Sequence, residues 1–394
     1  ALLQLVDKIT TSLENNEYTI GIFLDLSKAF DTVDHNILLN KLFTYGFTDS
    51  ALRWLKDYLT NRKQFVSNRN NISSQNVLTC GVPQGSILGP LLFLIYVNDL
   101  ASVSNKLFAL LFADDTNLFM SHKNFDTLVT SMNNELYKIN QWFKANKLSL
   151  NVKKTNFIIF VGRNKKYDKE KARIYINDNA INQVSHTRFL GVIIDEKLSW
   201  KNQIDFVCKK ISKNIGIIRK VKSLLSRNIF MVLYYSLIYP YLTYCNIIWG
   251  STYTTSINPV YLLQKRFVRI AANASFTAHT AALFRDLNVM TVFDINKFQI
   301  ALFVHKIVHN SSSLPEQYKG LLNFNSDIHH HYTRQHNLLR SIMTKTTQKQ
   351  HTIMFRGPTV WNNLSQILQS CSSLPSFKKL LKIDVIEHPS ITFS

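Results

Sequence analysis

The stretch "LFALLFADDTNLFM", Leu107 to Met120, sets two adjacent carboxylates inside a run that is otherwise almost wholly apolar. The apolar residues on either side favour short β-strands around a polar break, which predicts a hairpin with Asp114 and Asp115 at its tip. Aspartate is common in solvated turns, so the stretch taken alone favours an ordinary turn. Two like charges so close together are costly unless a proton or a cation neutralises them, and a metal site is therefore the alternative.

The composition predicts a globular chain, large enough for two or three domains, with a strongly basic second half. The 394 residues are 46% hydrophobic and 12% aromatic, and they carry a formal net charge of +21. Residues 1–200 contain 23 Lys and Arg against 18 Asp and Glu, whereas residues 201–394 contain 23 against 7. We expect this second half to meet a polyanion, with nucleic acid as the leading candidate and an anionic membrane surface as the alternative.

Other site classes find little support in the sequence. The four cysteines are far apart without a C-x-x-C pair, which argues against a zinc knuckle or a disulfide framework and fits a reducing compartment. The run His329–His331 has no suitably spaced partner, and we do not expect it to bind metal. Residues 229–263 lack charge but include Pro240 and many tyrosines, which favours a buried helix over a membrane span.

Periodicity predicts the elements of the first half. A buried strand is predicted over Thr19 to Leu26, with one acidic residue, Asp25, at its end. Asp34 is typical of an N-cap for the helix that follows, and Asp49 or Ser50 of the cap for the next one. Short strands are predicted near residues 64–67 and 76–80, and a helix over residues 126–147.

The second half is predicted to be mainly helical. Residues 201–225 carry apolar side chains three or four positions apart, with lysines and arginines on the opposite face. That basic face is either an ordinary solvated surface or one that follows phosphates, and the near absence of acids favours the second interpretation. Because strands gather before Trp200 and helices after it, we expect an α+β domain followed by a helical one.

The carboxylates permit a specific chemistry. A two-metal phosphoryl-transfer site needs hard oxygen ligands from separate strands, holding Mg²⁺ ions about 3.5 to 4 Å apart. Asp25 at a strand end, together with Asp114 and Asp115 at a hairpin tip, supplies that set if the two strands are neighbours. The spacing in the sequence allows this arrangement without requiring it.

Five motifs stand in order along the chain: "FLDLSKAFD", "GVPQGSILGPLLF", "FADD", "LNVKKTNF" and "RFLGV". Together they resemble the reverse transcriptases of non-LTR (LINE-type) retrotransposons, particularly the jockey/CR1-like group. The later segments "YPYLTYCNIIWG", "LQKRFVRI", "AHTAALFRDLNV" and "FRGPTVWNNL" with "SLPSFKKLL" are similar to the thumb and carboxy-terminal region of the same elements. The resemblance thus covers nearly the whole chain, and it favours the metal site over the solvated turn.

The resemblance implies a catalytic set. Asp25, Asp114 and Asp115 match the metal-binding aspartates, and the Leu26 backbone carbonyl lies beside the first of them. Lys154 resembles the lysine proposed to protonate leaving pyrophosphate, although Lys153 beside it makes the assignment less specific. The implied cofactor is Mg²⁺, as two ions, with Mn²⁺ as a possible substitute.

The resemblance also implies binding residues. Phe30 matches the bulky gate beneath the nucleotide sugar, where a ring would clash with a 2′-hydroxyl and so favour deoxynucleotides. Nucleotide contact is further expected at Gln84, Gly85 and Ser86, whereas Phe189, Leu190 and Gly191 resemble the primer grip. The implied partners are an RNA template, a DNA primer and dNTPs, with no membrane, and the implied site of action is the nucleus, with the protein otherwise cytoplasmic.

The expected architecture is an α+β right-hand polymerase palm, an antiparallel sheet with packed helices, followed by a helical thumb and a mainly helical C-terminal region. We place the palm with partial fingers at residues 1–198, the thumb-like helices at 199–265 and a basic extension at 266–394. Members of this family have a fingers region ahead of the first aspartate, in which Arg and Lys side chains bind the triphosphate. An endonuclease domain is usually encoded upstream of the polymerase. The chain begins after both, so we expect an N-terminally truncated copy. A non-catalytic nucleic-acid-binding remnant and an intron-type reverse transcriptase with a maturase role are the alternatives.

Overall fold

The computed structural model of the protein describes residues 1–68, 71–224, 226–328 and 335–389. The histidine run at 329–331 and Leu225 lie outside the described residues. Within them, the chain divides into a sheet unit, Asn16–Thr187, and a helical unit made of Ala1–Asn15 and Arg188–Ser394. The three-part division expected from the sequence stays a prediction.

The α-helices and β-strands are numbered in chain order. The helices are α1 (Leu2–Glu14), α2 (His35–Thr44), α3 (Asp49–Leu59), α4 (Leu88–Val97), α5 (Phe125–Ala145), α6 (Lys201–Lys220), α7 (Arg227–Leu233), α8 (Tyr239–Thr243), α9 (Asn246–Trp249), α10 (Thr254–Ala271), α11 (Thr280–Asp286), α12 (Val292–His309), α13 (Thr347–Gln350), α14 (Ile353–Asn362), α15 (Gln366–Ser370) and α16 (Leu374–Glu387). The strands are β1 (Tyr18–Leu24), β2 (Lys63–Gln64), β3 (Ser67–Asn68), β4 (Asn71–Ile72), β5 (Asn76–Val77), β6 (Phe108–Phe112), β7 (Asp115–His122), β8 (Asn156–Phe160), β9 (Tyr175–Ile176), β10 (Asn179–Ala180), β11 (Asn182–Gln183), β12 (His186–Phe189) and β13 (Val192–Asp195).

The sheet unit is built on a five-stranded sheet in the order β11-β8-β1-β7-β6. β1 pairs antiparallel with both β7 and β8, and β6 pairs antiparallel with β7. The edge strand β11 runs parallel to β8, so the sheet is mixed and the expectation of a wholly antiparallel sheet was wrong at this edge. Between β8 and β11 the chain forms the small β9–β10 hairpin, and this excursion returns β11 in the direction of β8.

The central strand β1 is buried along its whole length because it lies between two partners and beneath helix α5. The strand ends at Leu24, two residues before the predicted end, since Asp25 and Leu26 pair with the loop before β8 and not with the sheet. Glycine at position 21 is required by packing: a Cβ there would lie 2.5 Å from Phe119 Cε1 on the paired strand. The ring of Phe119 thus occupies the space that a side chain would fill.

We expect Gly21→Val to lower the free energy of unfolding by about 1–3 kcal/mol, the usual cost of overpacking a core. The added side chain would displace the Phe119 ring and approach Phe160 Cε2, which lies 3.3 Å from the ideal Cβ position. Urea unfolding followed by circular dichroism measures the change. Gly162→Val is the matched control, because a Cβ at Gly162 meets nothing within 4 Å. An equal loss in both variants would show that the Phe119 contact is not the cause.

Of the two N-caps predicted in the sheet unit, one is confirmed and one was wrong. The Asp34 side chain accepts hydrogen bonds from the Asn36 and Ile37 amides at 3.0 Å each, which confirms it as the N-cap of α2. The predicted cap of α3 was wrong: Thr48 is the N-cap, without a side-chain hydrogen bond, and Asp49 is already helical. Asp49 lies in the first turn of α3, where its negative charge interacts favourably with the helix dipole, but it does not cap the helix.

The helical unit contains α6, whose apolar residues Ile204, Val207, Ile211, Ile215 and Ile218 are buried as predicted. The helix ends at Lys220 and not at residue 225, because a short 3₁₀ turn over Lys222–Leu224 follows it. Asp195 fixes the start of the helix, since its carboxylate accepts the amides of Lys197, Ser199 and Trp200 at 2.9 to 3.1 Å.

The uncharged segment 229–263 does not form one buried helix. It runs through α7, a π-helical turn at Tyr234–Ile238, α8 and α9 before α10 begins. The breaks fall where Tyr244 is extended and Cys245 has a φ of 51°. Searched over the described residues, no helix is both long and apolar enough to cross a membrane.

Candidate active site

Asp25 stands directly beyond β1, at the point where the strand leaves the sheet. Its amide donates to Thr155 Oγ1 at 3.4 Å, and its carbonyl accepts the Asn151 amide at 2.8 Å. Leu26 is buried and forms an isolated bridge with Leu150. The backbone of Asp25 is therefore fixed by the loop before β8, while its side chain stays 43% exposed.

Asp114 and Asp115 lie at the tip of the β6–β7 hairpin, as the opening stretch predicts. Phe112 and Asp115 form the last cross-strand pair, so Ala113 and Asp114 make the two-residue turn. Ala113 has a φ of 53°, which is typical of the tight turns that join antiparallel strands. Residues Phe108–Phe112 and Asp115–Phe119 pair along the two strands, so the acidic tip is carried by an ordered hairpin.

Strand register brings the two acidic positions together. β1 and β7 pair antiparallel from Tyr18 opposite His122 to Leu24 opposite Thr116. Asp25 and Asp115 are the residues next to this last pair, one on each strand, and Asp114 precedes Asp115 in the turn. Burial raises the pKa of the Asp115 carboxyl, and the charges of Asp114 and Asp25 raise it further. The three carboxylates thus create a local excess of negative charge, which a cation would relieve.

Lys154 reaches toward this cluster from the loop before β8. Its Nζ lies 3.9 Å from Asp25 Oδ2, and its side chain is 72% exposed. An ion pair in such a solvated position contributes little to stability, so the ammonium group is free to move toward a phosphate. Lys153 is also exposed, but the ion pair to Asp25 distinguishes Lys154 from it.

The donor set has the chemistry that a divalent ion requires. Carboxylate oxygens are the ligands that Mg²⁺ prefers, and here they come from two neighbouring strands. In the part of the chain that the structure describes, however, no three His, Cys, Asp or Glu side chains converge closely enough to hold a metal. Ion binding would therefore require the exposed aspartate side chains to rotate toward one another.

The loop at Gln84–Ser86 is tied to the segment that follows Asp25. The Gln84 amide nitrogen donates to Asp31 Oδ1 at 2.8 Å, and the Val82 amide donates to the Phe30 carbonyl at 2.8 Å. Gly85 has a φ of +78° with open space where a Cβ would lie, which suits close approach of a ligand. Asp31 is a residue that sequence reasoning missed, and its position at the end of "SKAFD" was the available signal.

Ser86 and Phe30 have structural partners of their own. The Ser86 Oγ accepts the Gly89 amide at 2.9 Å and donates to the Pro83 carbonyl at 2.8 Å, so it orders the first turn of α4. The Phe30 ring packs against Phe93 with 4.5 Å between centroids, and Phe93 is fully buried. The gate position predicted at Phe30 is thus occupied by a ring that the core holds in place.

The predicted primer grip is a hairpin in the helical unit. Leu190 and Gly191, with φ of 46° and 78°, form the turn between β12 and β13, while the Phe189 ring is buried. The Tyr244 hydroxyl donates to the Leu190 carbonyl at 2.6 Å, and its ring lies 3.3 Å from the position of a Cβ on Gly191. Trp249 in turn donates its indole N–H to the Tyr244 carbonyl at 2.9 Å. Sequence reasoning placed "YPYLTYCNIIWG" in the thumb but assigned Tyr244 no role.

Sequence comparison relates the chain to known proteins. The family described as reverse transcriptase (RNA-dependent DNA polymerase) matches residues 3–194. The chain is 27% identical over 305 residues to the "Probable RNA-directed DNA polymerase from transposon X-element" of Drosophila melanogaster, covering 75% of this chain and 33% of that protein. It is 26% identical over 304 residues to the "RNA-directed DNA polymerase from mobile element jockey" of the same species, covering 74% and 32%.

The chain spans about a third of the length of these relatives. Among solved structures, the telomerase of Candida albicans in complex with a fragment of telomeric RNA aligns over 81% of this chain and 53% of that chain, with 11% identity and a TM-score of 0.40. The family match covers "FLDLSKAFD", "FADD" and "RFLGV", so the resemblance drawn from the motifs is confirmed. Residues 3–194 thus match the reverse transcriptase (RNA-dependent DNA polymerase) family, and about three quarters of the chain is similar to the polymerases of non-LTR retrotransposons.

Proposed function

We propose that the chain is the polymerase region of a non-LTR retrotransposon and extends a primer 3′-hydroxyl with deoxynucleotides on an RNA template. The observation that supports this most directly is the β1–β7 register, whose last pair, Leu24 and Thr116, is adjacent to Asp25 and Asp115, while the charges of Asp25 and Asp114 act on the Asp115 carboxyl. On this proposal residues 1–198 form the palm with partial fingers, residues 199–265 form the thumb-like helical region, and residues 266–394 form a basic extension. The nucleus is the proposed site of action.

Within this proposal each residue has a stated task. Two Mg²⁺ ions held by Asp25, Asp114 and Asp115 would activate the 3′-hydroxyl and stabilise the leaving pyrophosphate. The Lys154 ammonium would give a proton to that pyrophosphate, which its exposure and its position beside Asp25 permit. Gln84 and Gly85 would lie against the nucleotide, with Asp31 fixing the Gln84 amide.

Primer extension on a defined RNA template tests the proposal. The purified chain should incorporate dNTPs with Mg²⁺ or Mn²⁺ and lose incorporation in EDTA, and Asp114→Asn should abolish it. Asp126→Asn is the matched control, because Asp126 is an exposed carboxylate in the first turn of α5, paired with Lys171, and the whole of β7 separates it from the hairpin tip. Binding of template and primer without incorporation in any protein would instead support the non-catalytic remnant.

The Tyr244 hydrogen bond gives a prediction for the primer grip. Tyr244→Phe keeps the ring against Gly191 but removes the donor to the Leu190 carbonyl, so the hairpin turn loses one anchor. A net loss of about 0.5–1.5 kcal/mol should raise the KM for the primer–template by about two-fold to ten-fold. Steady-state extension at saturating dNTP measures this effect, and the KM for dNTP should not change.

The control for this variant is Tyr253→Phe, which removes a hydroxyl from another exposed tyrosine of the helical unit. A change of KM that is equal for primer and dNTP, or equal in the two variants, would contradict a role of Tyr244 in positioning the primer grip.

A further inference from the structure

A groove of about 850 Å³ lies between α6 and α10 in the helical unit. Its lining includes Lys209 and Lys213 from α6, Arg266 and Arg269 from α10, and Phe276 from the loop beyond α10. We propose that this groove binds single-stranded nucleic acid, with phosphates at the four cations and a base on the Phe276 ring. The proposal goes beyond the polymerase activity and does not depend on it.

The charge of the groove has a single sign. Lys209 and Lys213 are four residues apart on one face of α6, and Arg266 and Arg269 are three apart on α10. No Asp or Glu is among the described residues that line the groove. Like charges at such spacing destabilise helices, so a bound polyanion would relieve a cost that the free chain carries. Residues 201–270 contain eleven Lys and Arg and one acid, Asp205, so few neighbouring charges offset this field.

The surface between the cations is apolar and unusually exposed. Phe276 is 82% exposed and Leu262 is 53% exposed, and Pro259 and Leu263 complete this surface. The Phe276 loop is attached to α10, because the Arg269 Nε donates to the Ala278 carbonyl at 2.9 Å and its guanidinium lies 5.9 Å from the Phe276 ring centroid. Proteins that bind single strands combine a positively charged groove, which contacts the phosphates, with exposed aromatic rings on which the bases stack.

The combination favours a single strand over the other polyanions. In a duplex the bases are stacked inside, so a duplex would offer phosphates to the cations and leave Phe276 and Leu262 in water. An anionic membrane surface would attract the same cations, and lipid vesicles are therefore a competing probe in the test below. A single strand satisfies both sets of residues, since its phosphates and the faces of its bases are accessible together.

Fluorescence anisotropy on the full chain in EDTA tests the proposal without any contribution from polymerisation. The probes are labelled oligouridylate and oligothymidylate of about 16 nucleotides, a length that covers the usual site sizes of single-strand binding grooves. We expect both probes to bind, and the variant Lys209→Ala/Lys213→Ala/Arg266→Ala to reduce the slope of log K against log salt by about 2, from about 0.7 per lost cation.

The matched control is Arg340→Ala/Lys378→Ala/Lys379→Ala, which removes the same charge from other exposed positions of the helical unit. It should leave the salt slope within experimental error of the parent chain. All six side chains lie at the surface or its edge, and thermal unfolding should confirm that each variant is folded.

The aromatic residue supplies a second, independent readout. Phe276→Ala should weaken binding by about five-fold to 150-fold, since stacking of one base contributes about 1–3 kcal/mol. Phe276→Tyr keeps a ring and should bind as the parent chain does. Because the side chain is 82% exposed, neither substitution should unfold the protein.

Three outcomes would overturn the proposal. Equal weakening by the groove variant and its control would assign binding to diffuse charge. If the groove variant loses affinity for a duplex probe but still binds single strands, the groove is a site for duplex nucleic acid. If the groove variant loses binding to phosphatidylserine vesicles but still binds the oligonucleotides, the groove is a membrane-binding surface.

Discussion

Asp115→Asn should reduce magnesium-dependent primer extension by about 10³-fold, because a metal ion at the reacting phosphate contributes several kcal/mol and each 1.36 kcal/mol is tenfold in rate. The substitution is nearly isosteric and lies one register step beyond the last β1–β7 pair, so the hairpin should keep its shape. What changes is the charge of the cluster. The removal of one of three carboxylates leaves the proposed metal site with those of Asp25 and Asp114.

The same variant should behave differently in stability. In EDTA, Asp115→Asn should unfold at a temperature equal to or above that of the parent chain, because the carboxylates of Asp114 and Asp25 no longer face a third negative charge. Addition of MgCl₂ should then raise the unfolding temperature of the parent chain more than that of the variant, since a ligand that binds the folded state stabilises it. Differential scanning fluorimetry in EDTA and in a MgCl₂ series measures both effects.

Asp126→Asn again serves as the control, since it removes one exposed carboxylate of an ordinary surface ion pair. It should change neither the extension rate nor the response to MgCl₂. Extension by Asp115→Asn within about two-fold of the parent rate would exclude Asp115 from the catalytic set, as would an identical response of all three proteins to MgCl₂.

Local patterns in the sequence predicted the elements that carry the site. The two apolar runs on either side of the polar break in "FADD" were sufficient to predict the hairpin, and Asp34 was identified as an N-cap by its place before an apolar helix. These features depend on interactions between residues close in sequence, which a single sequence displays directly. The same is true of α6, where burial follows the predicted period of three and four.

The features that sequence reasoning missed join residues distant in sequence. Gln84 is held by Asp31, 53 residues away, and Leu190 by Tyr244, 54 residues away. The parallel pairing of β11 likewise depends on where the chain returns after the β9–β10 hairpin. Such contacts are set by the packing of whole elements, and no local pattern of charge or hydrophobicity indicates them. The pairing of β1 with β7 also joins residues distant in sequence, but it was anticipated, because a two-metal site needs neighbouring strands and the motifs resemble a family that has such a site.

Substitution of Phe30 should change which nucleotide the polymerase accepts. The Phe30 ring is fixed on one side by Phe93, 4.5 Å away between centroids, and the Phe30 carbonyl holds the Val82 amide of the loop before Gln84. A ring immobilised in this way cannot withdraw from a ribose 2′-hydroxyl. Phe30→Val removes the ring and should raise the incorporation of ribonucleotides relative to deoxynucleotides by about 100-fold, in the range that steric discrimination in a pocket reaches.

The ratio of kcat/KM for UTP and dTTP opposite template adenine measures this change, because it compares two substrates on one protein and is insensitive to the fraction of active enzyme. Phe30→Tyr keeps the ring and should keep the parent ratio. Phe43→Val is the matched control, since Phe43 is an aromatic residue on α2 that is 61% exposed. If Phe30→Val extends primers with an unchanged ratio, the ring is a core residue and selection against the 2′-hydroxyl lies elsewhere. If the ratio rises in Phe30→Val alone, the contact with Phe93 explains why a half-buried aromatic residue can act as a rigid steric gate.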